Sequence, residues 1–265
     1  NPVHSIGLFS VFDNDYLRNA DVYTGGFDAE YGGCLSSVIN ISSKNPNSVD
    51  WSGKMDISTI ASKLLIEGPV IKDSTLENIN LSVLFSMKAS HFERASEWFY
   101  TYLDQDLPFY FQDIYAKTTL LLGKGLSLNL SAYNFKDKVS EANTLKTYGW
   151  NSGGFSLNML MMPASVPILI KTYVAGSFYD MTLNEPNCDS RFSKVGSISA
   201  GMKFYRYLNS QTFKYGFDFT DLSTTYRYFT NSYNNYEQEE NSNELSGFVD
   251  YQGNFGRWVL EGGLH

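Results

Sequence analysis

The sequence has no run of about 18 apolar residues, the length a transmembrane helix needs, so no helical span is expected. That lack leaves a membrane β-barrel open, because a barrel strand needs only about 10 residues of alternating polarity. Basic residues are few: 20 Lys and Arg stand against 28 Asp and Glu, for a net charge of −8 and no basic stripe. Nucleic acid is thereby excluded as a partner. Charged residues are only 18%, below the quarter or so usual in soluble chains. The two cysteines, Cys34 and Cys188, lie far apart and outside any CxxC or His/Cys cluster. They read as unpaired thiols rather than metal ligands, with a disulfide left open in an oxidising compartment. His4, His91 and His265 are isolated, so no metal is expected. The chain has no Gly-x-Ser-x-Gly elbow, no P-loop and no nucleophile–base set. It reads as a non-enzyme that needs no cofactor. Asp13-Asn14-Asp15 opens like a calcium loop but lacks its later Gly and terminal Glu, and reads as a helix cap or turn.

What the chain has is aromatics and glycine, with 19 Tyr, 19 Phe and 21 Gly, a mix that suits strands and turns. Beyond 45–48 a period of two recurs. Ile79, Leu81, Val83, Phe85 and Met87 alternate with Asn80, Ser82, Ser86 and Lys88. Leu126, Leu128 and Leu130 alternate with Ser127, Asn129 and Ser131. Ile168, Ile170, Thr172 and Val174 oppose Lys171, Tyr173 and Ser177. Ile198, Ala200, Met202 and Phe204 oppose Ser197, Ser199 and Lys203. Phe213, Tyr215, Phe217 and Phe219 oppose Lys214, Gly216 and Asp218. Successive strand side chains point to opposite faces, so each segment has one apolar and one polar side. Tight turns at 72–78, 123–125, 163–167, 209–210 and 253–256 alternate with polar loops at 91–108, 137–147, 183–191 and 230–243. A transmembrane barrel shows short turns at one rim and long loops at the other. The reading gives ten complete strands and the start of an eleventh at 257–264. Several segments reach about 12 residues, where a soluble sandwich averages about 5–6. Tyr205, Tyr207, Tyr226, Tyr228 and Phe229 are expected as interfacial girdle residues.

The first 47 residues are different: short strand-like pieces broken by glycine. Val22-Tyr23 leads into Gly25-Gly26, and Ala29, Tyr31-Gly32-Gly33, Val38-Ile39-Asn40-Ile41 and Lys44 follow. Gly25, Gly26, Gly32 and Gly33 suit turns that need positive φ. Ala29, Ser36 and Ser37 are small enough for a compact element, and Val38-Ile39-Asn40-Ile41 reads as a buried strand. This joined spacing over residues 19–44 resembles the end of the plug domain of TonB-dependent outer-membrane receptors, most of all a Bacteroidetes-type branch. Cys34 and Ser37 depart from the family pattern, in which a charged residue and a Gly are common. An Ala-Asn-Gly run typical of glycan importers is absent, which makes that subgroup less favoured.

The resemblance implies an all-β fold: the C-terminal part of a plug (1–47), then the N-terminal half of an antiparallel transmembrane β-barrel (48–265) that has about 22 strands when whole. It implies the outer membrane of a Gram-negative cell and energised uptake of a scarce nutrient: a siderophore, vitamin, oligosaccharide or peptide. The implied partners are outer-membrane lipid, the ligand, a TonB-type inner-membrane complex acting through an N-terminal segment, and a surface lipoprotein as a further candidate. Asn1-Pro2 at one end and a strand at the other are expected to continue in a longer protein, and the half barrel is not expected to close on itself. The alternative class is a barrel serving as receptor, adhesin or assembly scaffold without import. Gly25, Gly26, Ala29, Tyr31, Gly32, Gly33 and Asn40 form the plug signature. Trp98, Tyr100 and Tyr102 in one loop, and Tyr233 and Tyr236 in another, are candidate ligand-stacking aromatics, with membrane anchoring or a mobile surface loop as the plainer readings.

Overall fold

The computed structural model describes residues 12–33, 36–72, 79–91, 108–123, 125–141, 145–186, 188–229 and 235–265. Two antiparallel sheets account for them. The small one is a ribbon of β1 (Leu17–Tyr23) and β2 (Val38–Ser43), with a single 3-10 turn at Ala29–Tyr31 in its connection. The large one, the wall, holds eleven strands in sequence order: β3 (Ser52–Ile57), β4 (Ala61–Lys72), β5 (Asn80–Ser90), β6 (Phe109–Leu122), β7 (Leu126–Glu141), β8 (Lys146–Met161), β9 (Ile168–Asn184), β10 (Arg191–Leu208), β11 (Gln211–Phe229), β12 (Asn235–Phe255) and β13 (Trp258–Leu264). It is an up-and-down meander, open along β3 and β13. No helix among the described residues is long and apolar enough to cross a membrane.

The alternation read from the sequence fixes the two faces of the wall. Register runs continuously from Ile66 through Phe85, Ala116, Ala132, Phe155 and Gly176 to Ile198. The offset row runs from Glu67 through Leu84, Lys117, Ser131, Ser156 and Ala175 to Ser199. A one-residue slip would exchange these sets, so the pattern pins the pairing. On the first face Met55, Ile66, Phe85, Leu130, Phe155, Leu157, Val174, Ile198, Phe217, Phe219, Leu245 and Val249 are each at least 40% exposed. Soluble monomers rarely expose apolar patches beyond a few hundred Å². The other face carries lysines, carboxylates, serines and asparagines, and the ribbon lies against it.

The turns expected at 163–167 and 209–210 form, residues 73–78 lie outside the described residues, and Gly123, Asn209 and Gly256 take positive φ. Three expectations are corrected. The polar stretches 137–147 and 230–243 are largely strand: β7 and β8 pair out to Glu141↔Lys146, and β11 and β12 pair out to Phe229↔Asn235. Cross-strand pairs link the strands there, as Arg227 binds Glu237 at 2.7 Å and the Tyr226 hydroxyl donates to Gln238 Oε1 at 2.5 Å. Gly253 belongs to β12, and the final turn is at 256–257. Tyr205, Tyr226 and Tyr228 share the polar face with Lys214 and Asp218 by register, so they do not form a girdle on the apolar side.

The small hydrophobic core sits between ribbon and wall, where Tyr16, Leu65 and Leu84 are buried against Phe12, Leu17 and Tyr115. Leu84 is an apolar residue in the otherwise polar row of β5 and is 1% exposed, because the ribbon covers it. Burying a leucine of this kind is worth about 2 kcal/mol.

Candidate functional site

The candidate site is the seam between the N-terminal ribbon and the polar face of the wall. It begins with an Asx turn: the Asp15 amide donates to Asp13 Oδ1 at 2.9 Å, which is the turn expected of Asp13-Asn14-Asp15. The turn aims both carboxylates at the wall. Lys63 of β4 pairs with Asp13 at 3.1 Å and, more closely, with Asp15, and Lys54 of β3 reaches Asp15 at 3.0 Å. The hydrogen bond from Lys63 holds the Asp15 carboxyl below its ordinary value, against a smaller opposing effect of burial. Tyr16 then stacks flat on Tyr115 of β6, with centroids 4.4 Å apart, and the Tyr115 hydroxyl donates to Ser43 Oγ at 2.8 Å.

Where β2 leaves the ribbon, Lys117 of β6 donates to the Ser43 and Lys44 carbonyls at 3.3 and 3.0 Å and to Asn45 Oδ1 at 3.1 Å. Lys44 in turn pairs with Glu67 of β4 at 2.6 Å, and Glu67 accepts the Asn47 amide at 3.1 Å. Burial makes these contacts matter, because an ammonium kept from water needs oxygen partners. The 3-10 turn supplies the third anchor. Glu30 accepts from the Tyr205 hydroxyl at 2.8 Å and lies 3.4 Å from Lys203, while Asp28 pairs with Lys214. Burial opposes charge on Asp28, but the hydrogen bond from Lys214, with hydrogen bonding to Glu261 beside it, prevails and holds it below its ordinary value.

Most of the plug-signature residues lie at this seam. Gly26 and Gly33 take positive φ, as expected, whereas Gly25 is not among the positive-φ glycines and Gly32 is extended at φ −60°. Gly32 is needed for space instead, since a Cβ there would run into the His265 ring. Ala29 packs so closely on Gly263 that a Cβ added to that glycine would sit 2.6 Å from it. The Tyr31 ring lies 5.5 Å from Tyr23, and burial pushes its phenol up to about 12. Asn40 pairs with Asp21 in the ribbon. The buried strand expected at Val38-Ile39-Asn40-Ile41 forms but is not buried. Ile39 is 61% exposed beside its partner Val22 at 60%, because only one side of a two-stranded ribbon meets the wall.

Among the candidate ligand aromatics, Trp98, Tyr100, Tyr102 and Tyr233 lie outside the described residues, as does Cys34. Tyr236 is on β12 near its long-loop end, its ring 5.1 Å from Tyr228 and its hydroxyl donating to Gln238 at 3.2 Å. The ribbon meets β11 and β12 near the opposite end, around Lys214 and Asp250, so the structure does not bring Tyr236 to the seam. The sequence reading missed the anchors Asp28 and Glu30, although both stand inside the Gly-rich motif. The signal that could have found them is the recurrence of a polar-face lysine near the turn end of consecutive strands: Lys171, Lys203 and Lys214.

No family model and no curated protein matches the chain. Among solved structures it is similar to the ferric yersiniabactin uptake receptor FyuA from Yersinia pestis, with a TM-score of 0.37 and 10% identity. The alignment takes in 82% of this chain and 46% of that receptor, so the chain spans less than half the receptor's length.

Proposed function

We propose that residues 48–265 form part of a transmembrane β-barrel in the outer membrane of a Gram-negative cell, and that residues 1–47 end the plug inside it. On this reading the whole protein is a TonB-dependent receptor that imports a scarce nutrient: a siderophore, vitamin, oligosaccharide or peptide. One observation carries the membrane reading. A single continuous sheet has an apolar, exposed outer face and a charged inner face occupied by another part of the same chain. Lipid suits the first face and a filled lumen the second. Open edges are not tolerated in hydrocarbon, so β3 and β13 would pair with further strands of the same barrel. The plug motif, read as a family resemblance, carries the step from barrel to energised import.

The test is uptake. Cells that depend on the full-length protein for growth on a limiting nutrient should lose uptake when the inner-membrane energy transducer is removed, while the receptor stays folded in the outer membrane. Unchanged uptake without the transducer would leave a passive receptor, adhesin or scaffold. A protein found outside the outer-membrane fraction would end the barrel reading as well.

A further inference from the structure

A cavity of about 680 Å³ lies between the ribbon and the wall, a size typical of small-molecule sites. It sits in the half of the wall nearer the tight turns, with Lys171 three residues into β9 and Lys203 five from the end of β10. The charged side chains lining it are Lys117, Lys171, Lys203 and Glu30. Three ammonium groups therefore face one carboxylate, in a chain whose overall charge is −8. Glu30 is already engaged by Lys203 and Tyr205. Lys117 spends its donors on neutral oxygens of Ser43, Lys44 and Asn45. Lys171 has no carboxylate within salt-bridge distance among the described residues, and its ammonium lies 4.3 Å from the centre of the Tyr205 ring.

We infer that this chamber is a binding site for a small oxyanion, a carboxylate or phosphate group, with Lys171 as its direct ligand. Lys117, bonded only to neutral oxygens, adds to the positive field, whereas Lys203 is held between Glu30 and Asp218 at 3.4 and 3.5 Å. A recess with an excess of positive charge concentrates counter-ions, and a charge-assisted bond would give Lys171 the anionic partner that the wall withholds. Ser131, Ser156 and Asn158 add neutral groups that can bond an oxyanion without cancelling the field. The inference needs only the cavity and its charges, and it stands whether or not the protein imports anything.

The experiment uses the full-length protein in lipid nanodiscs, with inorganic phosphate and citrate as separate probes. Lysines are acetylated with a water-soluble reagent and acetylation is read residue by residue by mass spectrometry. Either probe should slow acetylation of Lys171 by about tenfold at saturation, a fraction bound near nine-tenths. The exposed Lys136 should react at an unchanged rate. Protection by citrate alone makes the ligand a carboxylate, and protection by phosphate alone makes it a phosphate. Binding measured calorimetrically should weaken at least about tenfold in Lys171→Gln. If neither probe protects Lys171 at millimolar concentration, or if Lys171→Gln binds as tightly as the parent, the inference is overturned. The acetylation arm decides the matter even if the variant fails to fold.

Discussion

The patch of wall beneath the ribbon and the far end of β11–β12 have the same strand geometry and opposite surroundings. Under the ribbon, Leu65 and Leu84 are 4% and 1% exposed on a largely polar face. At the far end, the β12 partners in the rows from Thr220↔Glu244 outward are polar apart from Tyr236, and Glu237, Glu239 and Glu240 are exposed. Alternation makes a strand in both places, but it does not decide what becomes buried. The N-terminal ribbon covers Leu65 and Leu84 through Tyr16, and no such cover lies over the exposed glutamates of β12.

The largest effect should come from emptying the covered patch. Leu84→Ala should destabilise the seam by about 2–5 kcal/mol, the cost of lost transfer energy plus a cavity. Urea unfolding in lipid, followed with hydrogen exchange of the β1 amides, would measure it. The same truncation at Leu245, 76% exposed on the apolar face, should leave β1 exchange unchanged. Next comes the apolar face itself: Leu130→Arg should cost roughly 2–4 kcal/mol in a bilayer, while Ser131→Arg, one residue along and on the other face, should cost less. Refolding yields into liposomes would rank the two.

The seam's ion pairs come third. Lys63→Met leaves Asp13 and Asp15 facing the wall without their main cation and should cost about 1–2 kcal/mol, since water still reaches the cluster. The pH dependence follows from Asp15, whose carboxyl is held below its usual 3.8. A depressed acid stabilises the folded state above its unfolded value, and the contribution is lost as pH falls through the folded value. Attachment of the ribbon should therefore be flat from neutral pH down through the mildly acidic range and weaken only below 3.8, with Lys63→Met reducing that dependence and Lys54 still acting on Asp15. Hydrogen exchange of β1 across an acid series checks it. The smallest effect belongs to the far end: Arg227→Ala, which breaks a half-exposed pair with Glu237, should change stability by less than about 1 kcal/mol.

The wall was legible in the sequence because its signal is local. Phe213, Tyr215, Phe217 and Phe219 against Lys214, Gly216 and Asp218 declare a strand and both of its faces without reference to anything else. Loop lengths were less legible: 235–243 is polar at every position but Tyr236, and polarity alone does not separate a loop from a strand that has water on both sides. Only the matched register with Thr220–Phe229 does that, and it spans two strands. The seam was the least legible part. Leu84 breaks the polar row of β5, and its reason lies about seventy residues away at Tyr16. Glu30 and Asp28 find Tyr205, Lys203 and Lys214 across more than 170 residues, distances at which spacing carries no information. The glycine motif marked where the ribbon turns, but assigned its glycines one reason when Gly26 and Gly33 serve conformation and Gly32 serves close approach.

The most direct test of the account is the solvent on each side of the wall, read at two adjacent residues. In the full-length protein with Cys34 and Cys188 replaced by serine, a nitroxide is placed at Leu130 or at Ser131, and the protein is reconstituted in bilayers. Electron-spin relaxation should show position 130 open to oxygen dissolved in lipid and closed to a water-soluble nickel chelate. Position 131 should be shielded from oxygen. If the two positions respond alike, or in the reverse sense, the wall is not a lipid-facing sheet folded around the N-terminal ribbon.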